Sequence, residues 1–163
     1  MTITRTPPTL TAREIEVMRL LAEGAREGEI GSRLLIRACT VKSYTRLVRQ
    51  KLGTAGAAHS VDVCYELRLI ALPAREPHEI ELPPEQQQLI PLIARSLNGV
   101  QMAAETGRPL VDVRRDANAL EEALEARSWA HLVTRARQYG LPTRSVDTDG
   151  QEAASSLALA KRT

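Results

Sequence analysis

Three cations, Lys42, Arg46 and Arg49, recur at i, i+4 and i+7 within the stretch TVKSYTRLVRQKLG, residues 40–53. On a helix that spacing puts them on one face, where like charges repel by roughly a few tenths of a kcal/mol per pair. Between positions 33 and 52 the chain carries six cations (Arg33, Arg37, Lys42, Arg46, Arg49 and Lys51) and no acid. A surface of that sign calls for a counter-charge, and the phosphates of a nucleic-acid backbone supply one. A solvated basic face, common in Arg-rich proteins, is the competing interpretation. Other residue types capable of chemistry form no constellation. His59, His78 and His131 have neither a nucleophile partner nor metal-ligand spacing, and Cys39 and Cys64 form no metal motif. There is no Gly-rich phosphate loop. The expectation is no enzyme, no cofactor and no metal site, with reduced, partly buried thiols.

The elements that would present those cations are legible. Thr11 to Glu14 has the capping-box form Thr-x-x-Glu, so a helix should begin at Ala12 and run to about residue 23, with Gly24 suited to a left-handed cap. A short helix over 27–34, a turn through 35–37 and a longer helix over 38–52, ended by Gly53, should follow. A fourth is expected over 59–67. In the third, Val41, Tyr44, Val48 and Leu52 share a face opposite the cations and should meet the core. A short helix, a tight turn and a basic amphipathic helix make a helix-turn-helix layout.

Residues 10–70 resemble the LuxR/GerE-type DNA-binding domain, a four-helix module. The resemblance is carried by LTAREIEVMRLLAEG at the start, EIGSRLLI in the scaffold helix and TVKSYTRLVRQKLG in the recognition helix. It implies a bacterial transcription regulator whose recognition helix enters the major groove of duplex DNA. Carried over by position, Lys42, Ser43 and Arg46 would face base edges, and Thr40, Arg49 and Lys51 would lie near phosphates. The sequence departs from the family pattern at Arg26 and Arg37, where the family favours Ser as a cap; an Arg side chain offers no acceptor. Gly31 replaces a usual Ala, at a cost of up to ~1 kcal/mol inside a helix. TAGAA at 54–58 lacks the family's basic residue.

Sliding the 163-residue sequence on itself by 72 positions aligns 10–70 with 82–142 without a gap. Leu10 meets Leu82, Leu20 meets Leu92, Val41 meets Val113, Leu52 meets Leu124 and His59 meets His131. The expected architecture is therefore all-α: two tandem four-helix helix-turn-helix modules, 10–70 and 82–142, joined by a short linker and followed by a flexible tail, 143–163. The linker, ALPAREPHEIE (71–81), has two prolines and four charges. The second copy inverts the charge. From 105 to 124 it holds three cations against five acids, a net −2. Where Lys42, Arg46 and Arg49 stand in the first copy, it has Arg114, Asn118 and Glu121. Pro91 should interrupt its first helix, and Pro109 at the start of its third is harmless. It reads as a degenerate, fold-retaining module for packing, assembly or contact with a protein partner, with Trp129 and Tyr139 more at home in core than on a contact surface.

The family's habit of pairing through the last helix leaves two assemblies open. The copies pair within one chain, through 61–67 and 133–139, or the second copy joins two chains into a homodimer that offers two basic helices to a palindrome. The rival functional readings are an anti-activator that binds another regulator without touching DNA, and a polymerase-associated module like a sigma-factor region. Composition fits a helical core: 43% hydrophobic, but 2% aromatic with no Phe. No apolar run reaches the ~20 residues of a membrane span, and MTITRTPPTL has no signal-peptide core, so a cytoplasmic protein without membrane contact is expected.

Overall fold

The computed structural model describes residues 8–144, so most of the expected tail lies outside the described residues. Among those described, all regular structure is helical: α1 (Ala12–Ala22), α2 (Glu27–Leu34), α3 (Ala38–Leu52), α4 (Ala57–Glu66), α5 (Pro84–Gln87), α6 (Leu89–Ala94), α7 (Gly99–Thr106), α8 (Leu110–Ala123) and α9 (Trp129–Gln138). Each boundary has a local cause. The Thr11 hydroxyl accepts from the Glu14 N–H at 3.2 Å, and the Glu14 carboxylate accepts from the Thr11 N–H at 3.0 Å, closing the capping box of α1. Gly24 at φ +90° and Gly53 at φ +67° take the left-handed conformation that stops α1 and α3. Helix α4 starts at Ala57, earlier than the pattern suggests, because Gly56 serves as its cap and its carbonyl accepts from the Ser60 N–H at 2.9 Å.

The turn between α2 and α3 closes tightly. The Ile36 N–H donates to the Gly31 carbonyl at 2.9 Å. A Cβ on Gly31 would come within 2.7 Å of the Ile36 carbonyl oxygen. The glycine is thus more than a helix-propensity cost: it leaves the space this turn uses. Leu35 pivots the chain at φ +57° and is itself 92% exposed.

Helices α1 to α4 wrap one core, in which Val17, Met18, Ile30, Val41, Val48 and Val61 are inaccessible to solvent. Tyr44 and Leu52, the other two apolar positions of α3, lie half-buried against it. A second core gathers Leu89, Ile90, Ile93, Met102, Val113 and Leu120 from the later helices. Its first helix is broken at Gln88, as Pro91 demands: the proline has no N–H for the Gln87 carbonyl, and its ring crowds that turn. Trp129 is half-buried against both cores, and Tyr139 is half-buried against the second, with Arg135 5.2 Å over its ring.

Helices α4 and α9 lie side by side between the two cores. The Tyr65 and Thr134 hydroxyls bond at 2.8 Å, and Arg137 donates to the Asp62 carboxylate at 2.7 Å. The connecting segment 71–81 is non-helical and is strapped to α9, where the Glu76 N–H donates to the Gln138 carbonyl and the Glu76 carboxylate accepts from Arg135 at 2.6 Å.

The helices of the two halves share their numbering at an offset of 72. Helix α2 shifted by 72 gives the bounds of α7, and α4 gives those of α9. The same shift relates every backbone position of positive φ among the described residues: Gly24 to Ser96, Leu35 to Gly107, Gly53 to Glu125 and Arg68 to Gly140.

Candidate nucleic-acid interface

Helix α3 buries Val41 and Val48 and turns its other side outward. The six cations from Arg33 to Lys51 do not share one environment. Lys51 sits at the C-terminal end, and its ammonium lies 2.9 Å from both oxygens of Glu14 on α1. That carboxylate is only 3% exposed, so the pair ties the end of α3 to the start of α1. Arg33 lies 4.0 Å from Glu23, and Lys42 lies 3.7 Å from Glu27, both as exposed surface pairs of little energetic weight. Three acids absent from the local sequence thus return in space.

Arg37, Arg46 and Arg49 have no carboxylate within 4.0 Å among the described residues. Arg46 is exposed near the middle of α3. Arg49 is exposed and donates one N–H to the Ala55 carbonyl at 2.7 Å, which steadies the guanidinium and leaves further N–H donors unused by that bond. Arg37 stands at the cap of α3 and, as its chemistry dictates, supplies no side-chain acceptor. With no cap side chain to accept it, the Thr40 N–H donates back to the Arg37 carbonyl at 2.9 Å. At the other Arg cap, Arg26, the Glu29 carboxylate accepts from the backbone N–H at 3.2 Å, which closes the half of a capping box that needs no cap side chain.

Thr40 is half-buried in the first turn. Ser43 is half-buried too, and its hydroxyl donates to the Cys39 carbonyl at 3.1 Å, leaving its lone pairs as acceptors. Of the six positions assigned to DNA by resemblance, Lys42, Arg46 and Arg49 are exposed, Thr40 and Ser43 are half-buried among them, and Lys51 is tied to Glu14. Glu14 is the residue that sequence reasoning missed in its second role. The capping box identifies it, but nothing local signals a partner 37 positions away.

The corresponding surface of α8 differs. Arg108 pairs with the buried Asp116 and holds its carboxyl below the usual range, and Arg115 lies 3.3 Å from Asp112. Arg114 and Asn118 are exposed, with Glu122 on the same surface.

Two of the three histidines take structural places, and His78 is exposed in the connecting segment. The His59 Nδ1 accepts from the Ala55 N–H, and the His131 Nδ1 accepts from the Arg127 N–H, each at 3.1 Å and again 72 positions apart. Burial lowers the His131 pKa, and Arg135 and Arg127 add to the effect. Cys39 is exposed and Cys64 buried, both as free thiols, with burial pushing Cys64 up to about 11. Among the described residues no group of His, Cys, Asp and Glu side chains could hold a metal ion, and no helix is long and apolar enough to cross a membrane.

A scaffold helix, a glycine-closed turn and an outward basic helix define α2–α3 as a helix-turn-helix unit within a four-helix module. Residues 8–64 match the family model of bacterial regulatory proteins of the luxR family, GerE, and this segment is a LuxR/GerE-type helix-turn-helix domain. The match leaves residues 65–163 outside it. No curated protein and no solved structure matches the chain.

Proposed function

We propose that this chain is a bacterial transcription regulator that binds duplex DNA through α3. The observation that carries the reading is an exposed basic surface, Arg37, Arg46 and Arg49, on the recognition helix of a LuxR/GerE-type domain, with no local carboxylate to answer it. Lys42, Ser43 and Arg46 read base edges, and Thr40 and Arg49 flank them on phosphates. Lys51, bound to Glu14, positions α3 and is released from phosphate duty in this reading. The regulator acts in the cytoplasm and performs no catalysis of its own.

The second half, 82–142, is read as a degenerate copy of the first, 10–70, with 71–81 as connector and 143–163 as tail. The shared helix bounds, the four positive-φ positions and the paired His–backbone bonds, all at the same offset of 72, support that descent. Its role is assembly, since its acidic α8 opposes phosphate.

Selection of bound duplexes from a random pool, followed by gel shifts with purified Arg46→Ala protein, tests this. A sequence preference that Arg46→Ala relaxes supports it. If no duplex is retained at low ionic strength, the DNA role fails.

A further inference from the structure

Two contacts between the halves come with exchanged counterparts, whereas the Arg127–Glu29 ion pair at 2.7 Å stands alone. Asp62 meets Arg137, and the positions 72 away with the halves swapped, Thr134 and Tyr65, also meet. A Cβ on Gly24 would lie 2.7 Å from the His131 Nδ1, and the exchanged positions, Ser96 and His59, are joined by a 3.0 Å bond from the His59 N–H to the Ser96 hydroxyl. Helix α1 lies on α9 as α6 lies on α4, and α4 lies on α9 itself. Reciprocity of this kind is what a two-fold axis between identical subunits produces.

We infer that the α4–α9 seam is a dimer interface closed within one chain, which leaves α4 no surface for a second copy and makes the DNA-binding unit a single chain on a single half-site. The inference rests on reading the second half as a copy of the first. The seam is filled: Val61, Cys64, Val133 and Ala136 are inaccessible to solvent, and Tyr65 is nearly so. Its charged members are matched across the halves: Arg137 lies 2.7 Å from Asp62 and 4.0 Å from Glu66. A second chain would have to displace all of these contacts to pair through α4. The same two-fold relates α8 to α3. Where α3 offers Thr40, Lys42, Arg46 and Arg49, α8 offers Asp112, Arg114, Asn118 and Glu121, so one cation is kept among these positions but only α3 is net positive there, as phosphate requires.

Sedimentation of the full chain over a wide concentration range, followed by titration onto duplexes bearing one half-site or an inverted repeat of it, tests the inference. The expected result is a single-chain mass throughout, one chain on the single site, and independent filling of the repeat with a Hill coefficient near one at every spacing. A two-chain mass, or spacing-dependent cooperative filling of the repeat, overturns it. A single-chain mass with no binding to any duplex leaves the closed seam standing and overturns the half-site claim together with the DNA reading.

Discussion

Replacing Lys51 by Met should destabilise the fold without changing how DNA affinity responds to salt. Glu14 is 2% exposed and accepts from the Lys51 ammonium at 2.9 Å on each oxygen, besides accepting from the Thr11 N–H. Removing one partner of a fully buried pair costs about 3–5 kcal/mol, chiefly because the remaining charge is stranded. The Lys51 side chain is 36% exposed, so water shares its charge, and a loss of roughly 1–3 kcal/mol is the discounted expectation. Urea unfolding should show a lower midpoint at an unchanged slope. Glu14→Gln keeps an oxygen for the Thr11 N–H and removes the charge. The double variant should therefore recover part of the loss, with a coupling energy of about 1 kcal/mol or more. A lysine bound to phosphate behaves differently: its removal lowers the salt slope of DNA binding by about 1. A stability loss under about 0.5 kcal/mol combined with such a drop in slope would refute the positioning role and return Lys51 to the DNA surface.

Arg49→Ala should weaken binding to all duplexes alike and lower the salt slope by about 1, whereas Arg46→Ala should act mainly on base preference. Competition binding separates the two, and unchanged curves for both would remove α3 as the contact surface. His131 is held neutral by burial, with Arg135 and Arg127 adding to the effect, so its folded pKa is depressed. Its contribution to stability is complete above the ordinary imidazole pKa of about 6.5 and is lost as pH falls below it, because the unfolded chain then binds the extra proton. Urea midpoints should fall from neutral pH to about pH 5, and His131→Gln should flatten that trend; an unaltered trend in the variant contradicts the assignment. Gly24→Ala should cost more than Gly53→Ala. Both positions have positive φ, but only at Gly24 does a Cβ meet a neighbour, His131, at 2.7 Å. Equal unfolding midpoints for the two variants would show that His131 gives way freely.

Where a helix begins or ends, the controlling residues are within a few positions, and the sequence could be read directly. Thr11 and Glu14, Gly24 and Gly53 set their boundaries through their own backbone bonds or left-handed conformations, and Pro91 broke its helix one turn upstream. The apolar faces were legible for the same reason, since Val41 and Val48 repeat with the helix itself. What the sequence withheld is pairing across distance. An acid-free window says nothing of Glu14, Glu23 and Glu27, which other helices bring to Lys51, Arg33 and Lys42. Gly31 looked like a cost because its virtue, room for the Ile36 carbonyl, exists only once the turn is closed. Helix α4 starts two residues before the expected position because Gly56 caps with backbone alone and leaves no side-chain signature. Asp62 and Arg137 carry no mark of their partnership until α4 and α9 meet.

The most direct test of the account is the salt dependence of binding between the full chain and a fluorescent duplex. With Arg37, Arg46 and Arg49 against phosphate or groove, affinity should fall steeply as salt rises, by a log–log slope of about 0.9 per phosphate contact, and substituting all three by Ala should abolish most of that slope. If the wild-type chain ignores duplex DNA at low ionic strength, or binds it with a slope the triple substitution leaves intact, α3 is not the surface on which DNA is held.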